Sequence, residues 1–209
     1  MLTLQTLLEK NPLIAILRGI TPSRVLSVGT LLVDAGFRCI EIPMNSPEPL
    51  KSIALLSTQF SDDVLIGAGT VTTREHVKQV SENGGRLIVM PHNNPSLITT
   101  AKELGLICIP GFSTASEAYV ALEAGADALK FFPAQSLSAS FLKAVATILP
   151  RGIAIFPTGS ITPDLMASFM EAGARGFGLG SELFKPDYED SFIESRAKEF
   201  MLAAKKLML

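Results

Sequence analysis

A repeat restricts this chain more than any other feature. Short β-rich runs recur at "LIAIL" (13–17), "FRCIEI" (37–42), "VLIGAG" (64–69), "RLIVMP" (86–91), "LICIP" (106–110), "DALKFF" (127–132), "GIAIF" (152–156) and "GFGLG" (176–180). These eight runs start roughly 20–27 residues apart, the length of one strand, one helix and two loops. The segments between them end alike, with "DAG" before the second run, "ENGG" before the fourth, "ELG" before the fifth, and "EAGA" before the sixth and eighth. Glycine at that point supplies the left-handed residue that closes a helix. "EAGADALKFF" returns as "EAGARGFGLG", the clearest internal echo. Eight β–α units without a break in composition predict an α/β fold, a compact (β/α)₈ TIM barrel. The first ten residues read as an extra N-terminal amphipathic helix and residues 188–209 as the closing one. Residues 1–209 are expected to form a single domain. A doubly wound open sheet is the competing architecture, but no glycine fingerprint followed by an acidic residue opens an early helix.

With 47% hydrophobic and 18% charged residues among 209, much of the chain must be core. Some of its surface is expected to face other subunits of a homo-oligomer. The net charge of −2 and the lack of any Lys/Arg block argue against nucleic acid or a membrane surface as partner. No run has the length of a membrane span, and the N-terminus lacks the basic region of a signal peptide. Cys39 and Cys108 lie in apolar runs and read as small buried hydrophobes of a reducing compartment. The expectation is a globular cytoplasmic protein.

Polar residues gather where the runs end, which in a (β/α)₈ barrel is the catalytic face. Arg18 ends the first, Glu41 lies in the second, Thr70 follows the third, His92 and Asn93 the fourth, and Thr158 the seventh. Lys130 lies inside the sixth. Strand alternation puts Glu41 on the lumen face with Cys39 and Phe37, and Lys130 with Ala128, whose small side chain leaves room beneath. Each has a plain structural reading: a strand-end lysine snorkels, Glu41 and Lys130 pair as a salt bridge, and Arg18 is a solvated rim charge. Their coincidence at one face points to chemistry instead. Desolvation and a nearby cation lower a lysine's pKa, and a neutral amine can attack a ketone to form a Schiff base. A carboxylate within reach, directly or through a water, shuttles the protons. Asp127, at the opposite end of its run, reads as structural.

His76 falls in a predicted helix and His92 stands alone, so neither a metal nor another cofactor is expected. The loops "TGSITPD" (158–164) and "GLGSELF" (178–184) hold the usual phosphate position of the fold, with Gly159, Ser160, Gly180 and Ser181 as donors. Ser113 and Thr114 in "PGFSTASEA" read equally as substrate contacts or, for one of them, a helix N-cap.

Across nearly the whole chain, the ordered set "EIPMNS", "GAGTV", "PGFSTASE", "LKFFPA", "FPTGS" and "GLGSELF" resembles the 2-keto-3-deoxy-6-phosphogluconate/6-phosphogalactonate aldolase family. The resemblance implies a metal-free class I aldolase, usually a homotrimer, that cleaves a phosphorylated 2-keto-3-deoxy sugar acid to pyruvate and glyceraldehyde 3-phosphate. It makes Lys130 the Schiff-base lysine, Glu41 the general acid/base, Thr70 a holder of the substrate carboxylate, and the "TGS" and "GLGS" loops the phosphate site. Asn45 stands where phosphogluconate enzymes often carry arginine, and Arg18 with "EIPMNSP" looks like the phosphogalactonate branch. Thr158 looks like the other branch and lies where its hydroxyl could read the C4 configuration. Two rival functions remain at this level: a phosphosugar isomerase or epimerase, needing a second acid–base partner, and a non-catalytic phosphosugar-binding protein.

Overall fold

Apolar, β-branched runs bounded by glycine and proline form short strands, and the segments between them form helices, in regular alternation. The computed structural model describes residues 4–60 and 62–207. Its strands are β1 (Leu13–Ile16), β2 (Cys39–Pro43), β3 (Leu65–Gly69), β4 (Leu87–Val89), β5 (Ile107–Ile109), β6 (Gly111–Phe112), β7 (Leu129–Phe131), β8 (Ile155–Pro157) and β9 (Phe177–Leu179). The helices are α1 (Leu4–Lys10), α2 (Pro22–Ala35), α3 (Pro49–Phe60), α4 (Arg74–Glu82), α5 (Pro95–Glu103), α6 (Ala115–Glu123), α7 (Ala139–Ala146), α8 (Pro163–Glu171) and α9 (Asp190–Leu207). Residues 1–3 of the expected first helix and 208–209 of the closing one lie outside the described residues. No helix among the described residues is long and apolar enough to cross a membrane.

All strand pairs are parallel, in a six-stranded sheet ordered β5-β4-β3-β2-β1-β9 and a three-stranded sheet ordered β6-β7-β8. This departs from one continuous run of eight. The fifth run is split at Pro110, which has no N–H to give to a ladder. β5 therefore pairs with β4, whereas β6 pairs with β7. Hydrogen bonds still cross both seams. Asp127 N–H donates to the Cys108 carbonyl (3.0 Å) and Lys130 N–H to that of Pro110 (2.8 Å). Between β8 and β9, Arg175 N–H donates to the Ile155 carbonyl (2.9 Å), and Thr158 and Gly178 form a parallel bridge.

Alternation sorts the core into two. Ile40 and Ile42 join the larger cluster with the inner faces of α2–α9, while Cys39 joins Ile14, Leu65, Leu87, Ile109, Ala128 and Phe156 on the other face of the strands. Phe37 does not follow Cys39 and Glu41 as expected. It precedes β2 and belongs to the helix-side cluster. The cause is the end of α2: Gly36 takes φ +113°, and Phe37 N–H donates to the Leu32 carbonyl (2.9 Å), so Phe37 occupies the apolar position of a helix-closing motif. The face bearing Cys39 and Ala128 is covered at its lower end by Leu7 of α1, which is fully buried against that set.

Leu7→Ala should therefore lower the unfolding free energy in urea by about 2–4 kcal/mol, the usual cost of a cavity in a packed core. A loss below roughly 1 kcal/mol would mean that α1 only rests on the surface.

Candidate active site

The C-terminal ends of the strands surround a cavity of about 450 Å³ whose lining includes Arg18, Thr70, Lys130, Thr158, Gly159, Ser160, Gly180 and Ser181. Eight of the eleven expected site residues thus line one cavity. Glu41 lies just beneath, in a smaller internal cavity that it shares with Lys130 and Thr158. Ser113 and Thr114 are not brought there, because both side chains are committed elsewhere. The Ser113 hydroxyl donates to the Phe132 carbonyl (2.6 Å), and Thr114 caps α6 in a reciprocal box with Glu117.

Register fixes the central pair. Glu41 sits opposite Ile16 and Gly67, and Lys130 opposite Gly111 and Phe156. Glu41 is 1% exposed and Lys130 6%. A Cβ on Gly69 would lie 2.6 Å from the Glu41 carboxyl, and one on Gly178 would lie 2.3 Å from Thr158 Oγ1, so both glycines make room for these side chains. Glu41 Oε2 is buried without a hydrogen-bond partner among the described residues. The Lys130 ammonium position lies 5.1 Å from the centroid of the Phe132 ring.

Burial governs the ionisation of this pair. It pushes the Glu41 carboxyl above the usual carboxylate range, against the pull of Lys130 and then of Arg18. It holds the Lys130 amine below the usual lysine range; Glu41 opposes that shift and Arg18 adds to it. Cys39 also shares the Glu41 face, and burial with the nearby carboxylate keeps it a thiol. Cys108, pushed up to about 12 chiefly by burial, is likewise inert.

Around the pair, two loops hold the polar rim. Arg18 Nη1 donates to Asn45 Oδ1 (2.5 Å) and Nη2 to Thr70 Oγ1 (3.2 Å), while Gly19 N–H donates to Ser46 Oγ (3.0 Å). Asn45 and Ser46 thus set the direction of Arg18, a role absent from the sequence reading. Three described non-glycine residues take positive φ, and two of them, Thr70 (+54°) and Ser160 (+49°), line the cavity. Such a backbone at a non-glycine residue costs about 1–3 kcal/mol and tends to accompany function. Lys185 also lines the cavity, near Gly180 and Ser181. It lay in plain view in "GLGSELFK", but nothing in the local pattern aims it. No group of three or more His, Cys, Asp or Glu residues among those described could hold a metal ion.

The ionisation has a cost. Across the window between its folded and unfolded pKa values, Lys130 binds fewer protons folded than unfolded, so its contribution makes stability rise with pH. Glu41 acts oppositely: its contribution is lost as pH rises through its elevated folded value. The double variant Glu41→Gln/Lys130→Met removes both linkages. Urea denaturation at pH 7 should find it about 1–3 kcal/mol more stable than the parent. Equal or lower stability would mean that local contacts repay the burial in full.

Comparison with known proteins agrees with this geometry. The family pattern for KDPG and KHG aldolases matches residues 4–194. The 2-dehydro-3-deoxy-6-phosphogalactonate aldolase of Escherichia coli (strain K12) is 42% identical over 194 residues, 93% of this chain and 95% of that one. A solved structure described as native KDPGal superposes with a TM-score of 0.93 at 41% identity, covering 95% of this chain and 96% of that one. A cube-shaped, highly porous cage designed by fusing symmetric oligomeric domains superposes with a TM-score of 0.92 at 41% identity, over 94% of this chain and 73% of that one. With Lys130 and Glu41 buried beneath a cavity ringed by these motifs, the chain belongs to the KDPG and KHG aldolase family.

Proposed function

We propose that this aldolase cleaves a 2-keto-3-deoxy-6-phospho sugar acid, preferentially the galactonate epimer, to pyruvate and glyceraldehyde 3-phosphate through a Schiff base on Lys130. The observation that carries the reading is the buried Lys130 amine, held below its usual pKa in the same internal cavity as Glu41. The identity to the phosphogalactonate enzyme supports the choice of epimer.

Neutral Lys130 attacks the C2 ketone, and Glu41 relays protons as the carbinolamine loses water to give the iminium ion. Glu41, then a carboxylate, takes the proton of the C4 hydroxyl while the C3–C4 bond breaks. The bond's electron pair moves into the iminium, leaving an enamine and glyceraldehyde 3-phosphate. Glu41 returns the proton to C3, and water hydrolyses the resulting iminium to release pyruvate and the free amine. Arg18 and Thr70 hold the carboxylate end. Gly159, Ser160, Gly180 and Ser181 take the phosphate, and Lys185 adds a cation at that end. An isomerase would need a second acid–base partner, and Glu41 is the only carboxylate among the residues lining the two cavities.

The hydrogen bonds across both seams support one further step: β5 and β6 act as one strand bent at Pro110, and the strands close a compact (β/α)₈ barrel with α1 at its floor. Residues 1–209 then form a single domain. The likeness to a cage built from oligomeric domains supports a homo-oligomer; the family resemblance makes it a trimer and a cytoplasmic enzyme.

Incubation with pyruvate and borohydride, followed by peptide mapping, should place a reduced pyruvyl adduct on Lys130. Lys130→Met should remove the adduct and reduce turnover at least about 10³-fold while the protein stays folded. An adduct on another lysine, or none, would contradict the mechanism. Thr158→Val should shift the ratio of kcat/KM values several-fold towards the galactonate epimer, about 1 kcal/mol for a lost hydrogen bond. An unchanged ratio would remove Thr158 from epimer recognition.

A further inference from the structure

The segment between β9 and α9 has no regular secondary structure, yet it contributes Gly180, Ser181, Phe184, Lys185 and Pro186 to the cavity. Something must hold it in shape. Part of the answer is internal: Phe184 N–H donates to the Gly180 carbonyl (2.9 Å), and Arg196 of α9 reaches the Glu182 carbonyl through Nε (2.9 Å). The second half of the segment is held from outside by Arg24. Its Nη1 donates to the Pro186 carbonyl (2.7 Å), and its Nη2 donates to both the Tyr188 carbonyl and Asp190 Oδ1, the latter at 2.6 Å.

Arg24 is the third residue of α2, whose first turn contains no acidic residue. A cation there opposes the helix dipole, so the position is not explained by the helix itself. What it holds matters more. The carbonyl of Tyr188 is fixed by Arg24, its hydroxyl donates to the Ser181 carbonyl (3.3 Å), and Lys185 Nζ lies 5.3 Å from its ring centroid. Pro186 in turn packs on the turn after β1, where a Cβ on Gly19 would meet its Cγ at 2.8 Å. One short stretch, Arg18 to Arg24, therefore lines the cavity with its first residue and braces the segment after β9 with its last.

We propose that Arg24 is a positioning residue for the phosphate end of the substrate site, clamping the Pro186–Asp190 backbone so that Tyr188 sets Ser181 and Lys185 in place. This rests on reading the segment after β9 as part of the phosphate cradle. Arg24 touches no reacting atom, so its loss should weaken phosphate binding and spare the chemistry at Lys130.

The test is steady-state kinetics of the full chain and its Arg24→Ala and Arg24→Lys variants with the phosphorylated keto acid. Pyruvate–borohydride trapping, which involves no phosphate, is run in parallel. Arg24→Ala should raise KM about tenfold with kcat within about twofold, and trapping should proceed at the parent rate. Arg24→Lys, which keeps the charge but loses the planar fork, should fall between. Hydrogen exchange should quicken at residues 180–189 and not in the strands. Unchanged KM in both variants would overturn the proposal, as would trapping that declines in step with KM, the mark of general unfolding. Failure of the unmutated protein to trap pyruvate on Lys130 would instead overturn the aldolase reading itself.

Discussion

An amine buried between Leu129 and Phe131 is the constraint around which the other parts of this site are arranged. Little of the side chain is open to solvent, so the charged form is disfavoured before any partner is considered. Glu41 moderates that penalty without abolishing it, because it is itself buried and pushed towards its neutral form. Two neutral or singly charged groups, separated by little free energy, are what proton transfer requires. The surroundings keep them so. Gly69 leaves space for the Glu41 carboxyl, and Gly178 leaves space for the Thr158 hydroxyl. A side chain at Gly69 would displace the Glu41 carboxyl, and one at Gly178 would displace Thr158.

The fixed charges stand apart from this pair. Arg18 is exposed, and its guanidinium is held by Asn45 and Thr70, where it can neutralise an anion without being desolvated itself. Lys185 is likewise exposed. A substrate with an anion at each end and a ketone between them matches this division, with permanent cations at the rim and titratable groups at depth. The strained backbone at Thr70 and Ser160 lies on that rim, where local geometry is held by neighbouring loops rather than by strand pairing.

Much of this was legible in the sequence because it depends on period and punctuation. Helix-ending glycines recur before the strands, and Gly36, Gly84, Gly105, Gly125 and Gly173 all take positive φ. The two-residue period of β2 and β7 placed Glu41 and Lys130 on one face. Other features depend on which element a residue touches, and local pattern does not carry that. Phe37 follows the helix closure rather than the strand alternation, since the strand starts two residues later. Pro110 looks like a strand end in sequence, but it passes the chain from one sheet to the other. Thr114 is different: "TASE" spells a capping box, and the signal was present in the sequence. Asn45, Lys185 and Arg24 act through irregular segments whose course no periodicity encodes.

Leu7 gives the site a floor. Among the described residues, the lower end of this strand face is packed by α1, and the cavity with its polar rim lies at the other end. In the proposed reaction the pyruvate enamine would be bonded to Lys130, with the aldehyde fragment between it and the mouth. The aldehyde must then depart first, and in the synthetic direction pyruvate must enter first. In the barrel proposed above, a floor at that end would impose on events the same order that the bond chemistry alone favours.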